Sequence, residues 1–152
     1  MEIERKFLVI PGLFKGGDQI LEIEQYYLAV YPDIVLRIRR SDQLAYITIK
    51  GRMAGISRPE FEYSIPLEDF FSMKGMAERP KITKLRHLIR VGSHVWEVDQ
   101  FLGANEGLWI AEIELAEEKE TFDIPEWLGI EVTHDERYFN SFLALHPFSG
   151  WH

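Results

Sequence analysis

The chain opens on Glu2-Ile3-Glu4-Arg5-Lys6-Phe7-Leu8-Val9, where Glu2, Glu4 and Lys6 alternate with Ile3 and Phe7. Successive side chains of a strand leave on opposite faces, so this period of two places the three charged groups on one face and the apolar pair on the other. Five later segments repeat the design: Leu36-Arg37-Ile38-Arg39, Pro59-Glu60-Phe61-Glu62-Tyr63, Lys84-Leu85-Arg86, Trp96-Glu97-Val98-Asp99 and Ala111-Glu112-Ile113-Glu114-Leu115. The pattern predicts eight strands, at about residues 2–9, 20–30, 34–40, 44–50, 58–65, 83–90, 94–101 and 107–115. Pro32-Asp33, Ser41-Asp42, Gly51 through Gly55, Gly92-Ser93 and Gly103 through Gly107 mark turns between them. A helix is expected from Leu67 to Met76. A terminal helix is expected from Thr133 to His146, with Thr133 and Glu136 spaced as a capping box and Phe139, Phe142 and Leu143 as its apolar stripe.

Short connections make the strands antiparallel, and eight of them close into a barrel or stack as a sandwich. The inner faces of a sandwich must be apolar, whereas a wide barrel can line a wet lumen with one face of every strand. The apolar rows here lie opposite the charged rows. The expected fold is therefore mainly β: a closed, eight-stranded antiparallel barrel with a charged lumen and a few flanking helices. Taken strand by strand, the same residues fit the solvated face of an ordinary sheet. Six strands of repeated like charges make that a poor account, because like charges opposite each other repel.

The chain has 152 residues, 46% hydrophobic and 13% aromatic, which suits one folded domain spanning 1–152. It has no cysteine, so any metal must be held by oxygen or imidazole. With no apolar run near the ~20 residues of a membrane span and no signal-peptide layout, a cytoplasmic protein without membrane association is expected. A net charge of −8 argues against a nucleic-acid polymer as partner, but leaves room for a small polyanion held by clustered cations. The aromatic content permits a homodimer without demanding one.

Both signs in one cavity are costly unless something ligates them. A triphosphate with divalent cations does so. Arg37, Arg39 and Arg86 offer planar forks for phosphate oxygens, and Lys6, Lys50 and Lys84 offer compact charges. Glu2, Glu4, Glu60, Glu62, Glu112 and Glu114 are hard oxygen donors suited to Mg²⁺ or Mn²⁺. Glu97 and Asp99 read as supporting acceptors that fix the basic groups, with Asp99 equally readable as a metal ligand. Glu22 and Glu24 are out of register with Tyr27 and are assigned to the outer face, as are Trp96 and Trp109. His87, His94, His134, His146 and His152 show no paired ligand spacing and read as surface or capping residues.

The ordered series Glu2-x-Glu4-x-Lys6, Arg37-Ile38-Arg39, Thr48-Ile49-Lys50, Glu60-Phe61-Glu62, Lys84-Leu85-Arg86, Glu97-Val98-Asp99, Glu112-Ile113-Glu114 and Val132-Thr133 with Arg137-Tyr138 resembles the CYTH superfamily, the triphosphate tunnel metalloenzymes. The resemblance implies an eight-stranded tunnel that binds triphosphate and needs a divalent metal. Its Glu-Ile-Glu-Arg-Lys-Phe-Leu opening is most similar to short bacterial-type inorganic triphosphatases. The resemblance also implies that the basic rows hold phosphates and that Glu2, Glu4, Glu112 and Glu114 lead the metal ligands, with Glu60 and Glu62 as helpers. The chemistry expected is in-line attack of water on a terminal phosphorus, with Lys84 and Tyr27 as the basic partners or Lys84 as a plain phosphate ligand. A class IV-type adenylate cyclase, a nucleoside or thiamine triphosphatase and a non-catalytic polyphosphate or nucleotide-binding module share most of these ligands.

Overall fold

A computed structural model describes residues 1–151. Its strands are β1 (Glu2–Val9), β2 (Gln19–Val30), β3 (Ile34–Ser41), β4 (Leu44–Gly51), β5 (Ser57–Arg58), β6 (Glu60–Ile65), β7 (Ile82–Val91), β8 (His94–Phe101), β9 (Trp109–Glu114) and β10 (Leu128–Glu131). All pairings are antiparallel, in the order β10-β1-β9-β8-β7-β2-β3-β4-β6, with β5 pairing back onto β1. The circuit of eight predicted strands is present, with one of them broken and a further short strand added.

The break is at Pro59, which has no N–H to give a ladder. Before it, β5 pairs with β1 through Glu2↔Arg58 and Ile3↔Ser57; after it, β6 pairs with β4 from Lys50↔Glu60 to Ala45↔Ile65. This register closes the expected antiparallel barrel through β5 and leaves it open only along β6. Glu2 already sits opposite Arg58, so β6 lies past the first residue of β1 and its outer edge has no strand partner among the described residues. The barrel is joined at one end of this seam and splayed at the other, where Phe61 and Tyr63 stand exposed.

The added strand, β10, covers the other half of the same β1 edge through Phe7↔Glu131 and Val9↔Leu128. Its four residues, Leu-Gly-Ile-Glu, are too few to show a period of two. Gly129 is required there, since a Cβ on it would lie 2.8 Å from the Leu8 carbonyl oxygen.

The apolar rows pack on the outside of the barrel. Trp96 and Val98 join Phe7, Ile113 and Trp127 in one cluster, with Trp96, Phe7 and Phe122 meeting edge to face. Trp96 is fully buried there, under the irregular segment that follows β9. Each such side chain contributes roughly 1.5–3 kcal/mol of burial. Helix α1 (Leu67–Met73), extended by a 3-10 turn to Met76 as predicted, buries Phe70 against Ile38 and Ala45. Glu24 faces outward, where it meets the Tyr26 hydroxyl and Lys81. No described helix is long and apolar enough to cross a membrane.

The terminal helix is much shorter than predicted. A 3-10 turn over Glu136–Tyr138 precedes α2 (Asn140–Leu145), and Phe139 between them is extended, at φ −71 and ψ 135. The capping box does not form. The Asp135 carboxylate accepts from the Arg137 N–H instead, while the Thr133 hydroxyl accepts from the Lys6 N–H at 3.0 Å. Thr133 is thus tied to β1. Leu143 and Ala144 are buried with Tyr27, Ile82 and Phe101, which docks α2 against the barrel.

Candidate functional site

Alternation along each strand and the pairing between strands bring the charged rows onto one inner face. Lys6 is opposite Glu112, which is opposite Glu97; Arg86 is opposite Asp99; Arg37 is opposite Thr48, which is opposite Glu62; Lys50 is opposite Glu60. Of the residues expected at the site, Glu2, Glu4, Lys6, Tyr27, Arg37, Lys50, Lys84, Arg86 and Glu112 line a single cavity. Arg39, Glu60, Glu62, Glu97, Asp99 and Glu114 lie on the same face outside that lining.

The deepest part is a buried ion network. Arg86 makes a two-pronged contact with Asp99, Nε to Oδ1 at 2.8 Å and Nη2 to Oδ2 at 3.0 Å, and a third bond to Glu97 at 3.0 Å. Lys84 Nζ donates to the same Asp99 at 2.8 Å. Asp99 is completely buried, and burial alone would raise its pKa; the charges of Arg86 and Lys84 outweigh that and hold it well below the usual carboxylate range. Burial lowers Lys84 to about 8, with Arg86 adding to the fall and Asp99 opposing it. Lys6 Nζ donates to the Tyr138 carbonyl, lies 5.2 Å from the Phe139 ring centre and 3.6 Å from Glu112.

Glu4, Glu97 and Glu112 form the acidic pole, each offering a carboxylate oxygen within 4.8 Å of the others. Burial disfavours the charge of Glu112, yet Lys6 chiefly, with Arg86 and Lys84, holds it down at about 2. Glu4 goes the other way: burial, then the charges of Glu112 and Glu2, push it well above its ordinary value. Three oxygen donors that close together, one held charged and one strained upward by its acidic neighbours, fit a hard divalent cation.

The other expected carboxylates are differently engaged. Glu2 lies 3.1 Å from Lys50, and burial together with the neighbouring Glu2 carboxyl raises Glu60 to about 7. Glu62 contacts Arg39 at 3.3 Å, Arg37 at 3.7 Å and the Thr48 hydroxyl at 2.8 Å. Glu114 is exposed as a residue, and partial desolvation of its carboxyl with the charges of Glu2 and Glu97 raises it. The structure therefore draws Glu97, expected in a supporting role, into the acidic pole with Glu4 and Glu112.

Sequence reasoning missed Arg58, Thr133, Phe139 and Asn140, all of which line the cavity. Arg58 donates twice to the Gly51 carbonyl, at 3.1 and 2.8 Å. It sits two residues before Glu60 on the period of two, a signal that could have found it. Thr133 and Phe139 come from the irregular segment before α2 and Asn140 opens α2 itself, where no strand periodicity marks them. Met53 also lines the cavity, whereas Phe71 stacks outside on Arg40 and Lys74. His87, expected at the surface, is buried: it accepts from the Gly17 N–H and packs against Phe14 and Trp109. His94 pairs with Glu120, and His152 lies outside the described residues.

The CYTH domain family matches residues 1–141. An inorganic triphosphatase of Acetivibrio thermocellus is 42% identical over 151 residues, covering 99% of this chain and 97% of the relative. An inorganic triphosphatase of Nitrosomonas europaea is 35% identical over 149 residues, covering 95% and 97%. The crystal structure of an inorganic triphosphatase superposes with a TM-score of 0.68 at 33% identity, over 95% of each chain. A protein from Hippeastrum shares the fold at 15% identity, with a TM-score of 0.61 over 77% of this chain and 80% of its own.

Proposed function

Since the chain belongs to the CYTH family, we propose that it is a divalent-metal-dependent inorganic triphosphatase, converting inorganic triphosphate to pyrophosphate and phosphate. One observation carries the reading. Cationic rows face a common cavity with Glu4 and Glu112, two members of a three-carboxylate pole that Glu97 completes just outside the lining, the complement of a polyphosphate bound with hard cations. The oxygen-only pole supports Mg²⁺ or Mn²⁺, and the absence of cysteine supports a cytoplasmic location. The substrate is a small molecule, and residues 1–152 act as a single domain.

Hydrolysis of a phosphoanhydride asks mainly for positioning and neutralisation of charge. Lys6, Arg37, Arg39, Lys50, Lys84 and Arg86 hold the phosphate oxygens, the arginines by planar forks and the lysines by single donors. Asp99 orients both Arg86 and Lys84, so that their charges reach the substrate from fixed directions. Glu4, Glu97 and Glu112 would hold the divalent ion, with Glu2, Glu60, Glu62 and Glu114 around them. When bound, that ion supplies charge neutralisation on the phosphates and a water of lowered pKa. Lys84 serves as a phosphate ligand: Asp99 at 2.8 Å favours its ammonium form. The Tyr27 hydroxyl, on the cavity wall, orients the attacked phosphoryl group.

The test offers purified protein inorganic triphosphate, ATP and thiamine triphosphate in parallel with Mg²⁺ or Mn²⁺, and scores phosphate, pyrophosphate and cyclic nucleotide. Phosphate and pyrophosphate released fastest from inorganic triphosphate is the expected result. Cyclic nucleotide from ATP transfers the site to a cyclase, faster turnover of thiamine triphosphate transfers it to that substrate, and tight binding without turnover leaves a sensor.

A further inference from the structure

An ammonium carries three N–H donors. Lys84 spends one on Asp99 Oδ2 at 2.8 Å and one on Asn140 Oδ1 at 2.9 Å, which leaves one for the cavity it lines. Asn140 Oδ1 also accepts from Gln25 Nε2 at 3.1 Å, and that amide donates again to the Tyr27 hydroxyl at 3.3 Å. Two donors converging on one atom settle which way the Asn140 amide faces; turned over, its own N–H groups would point at an ammonium and another N–H. Gln25 is fully buried, Lys84 is 2% exposed and Asn140 is 9% exposed, so no bulk water competes for these bonds.

From this geometry we infer that Asn140 is a positioning residue for catalysis, acting through Lys84. Its carbonyl oxygen and Asp99 form a two-point mount that aims the remaining Lys84 proton at a phosphate oxygen. The inference rests on the triphosphatase reading above. Asp99 alone does not fix the direction, because it is shared with Arg86 and a single contact leaves Nζ free to pivot. Asn140 is well placed for the task. It is the first residue of α2, whose Leu143 and Ala144 are buried against Phe101 and Ile82, and Arg79 Nη1 clamps the Ser141 carbonyl at 2.6 Å. Misplacement of a reacting or charge-stabilising group by about 1 Å is enough to cost on the order of 100-fold in rate.

The test is a double-mutant cycle of Asn140→Leu with Lys84→Met, together with Asn140→Asp. Leucine keeps the shape and removes the acceptor; aspartate keeps the acceptor. With inorganic triphosphate and Mn²⁺ as probes, N140L is expected to lower kcat roughly 10- to 100-fold with KM moved less than about threefold. N140D recovers most of that loss. Added to K84M, N140L changes kcat by less than about twofold, the mark of two residues acting as one unit. Equal losses in both backgrounds, or N140D as impaired as N140L, overturn the inference, as does a loss that simply follows the fraction folded in thermal unfolding. Should N140L fail to fold, N140S, too short to reach Lys84, takes its place. If the wild type releases no phosphate, the triphosphatase reading falls by itself. The cycle is then scored on calorimetric binding of inorganic triphosphate, where additivity overturns the role of Asn140 and coupling upholds it.

Discussion

The inner face divides into two regions made of the same residue types by the same alternation, yet they are different environments. Where Thr133, Phe139 and Asn140 wall the cavity, Lys84 and Arg86 are buried with Asp99 and bonded to it at 2.8 to 3.0 Å. Beside the free edge of β6, Arg39 meets Glu62 at 3.3 Å with the carboxylate 35% exposed. Burial, aided by the charges of Arg37 and Arg86, even lowers Arg39 to about 10, so its positive charge is crowded rather than sought. What separates the regions is cover. Cover over the cavity converts alternating charge into fixed geometry, whereas at the splayed seam the Glu62 carboxylate stays partly open to water and Arg39 is crowded by neighbouring cations.

The largest expected effect is on chemistry at the acidic pole. Glu112→Gln removes the carboxylate shared by the pole and Lys6, and should lower kcat on the order of 10²- to 10³-fold, the scale for losing one preorganised charge-stabilising group. Glu114→Gln, exposed beyond that pole, should lose much less in the same phosphate-release assay; equal losses would erase the distinction between the regions. Stability makes the next contrast. Arg86→Ala takes the two-pronged partner from buried Asp99, leaving it only Lys84, and should cost about 3 kcal/mol, against at most about 1 kcal/mol for Arg39→Ala, both read from urea unfolding at neutral pH.

Acid offers a finer test. Glu112 is held at about 2 against an ordinary 4.5, so its contribution is complete above 4.5 and is lost as pH falls toward 2. Unfolding midpoints of wild type and E112Q should therefore lie furthest apart at neutral pH and converge over that window. A gap that stays constant through it would contradict the pairing with Lys6. Smallest of all, Phe61→Ser on the open edge should change stability by no more than about 0.5 kcal/mol, since the ring is exposed.

The roofed and open regions were unequally legible in the sequence. Period-two alternation placed Lys6, Arg37, Arg39, Lys50, Lys84, Arg86 and six glutamates on one face, because a strand's geometry makes facing a local property. It could not group them, since grouping depends on register. That Glu97 stands with Glu4 and Glu112 follows from Glu97↔Glu112 across β8 and β9 and from the stagger of β1. The terminal helix was legible in place but not in length, and the placing of Asn140 escaped entirely. Thr133 was read as a local cap, whereas its hydroxyl serves the backbone of β1, 127 residues away. Pro59 was visible, and its lack of an N–H was reason enough to expect a broken strand; the consequence for closure needed the pairing of β1.

The seam also bears on how the molecule can be handled. Glu2 opposite Arg58 and Ile3 opposite Ser57 define a register in which a peptide appended ahead of Met1 would run out along β6, toward Phe61 and beyond. A fusion there is not a neutral handle: β-prone residues would supply the missing ladder and stiffen the gap, while a Gly/Ser-rich leader would leave it as it is. Affinity tags are better carried at the opposite terminus.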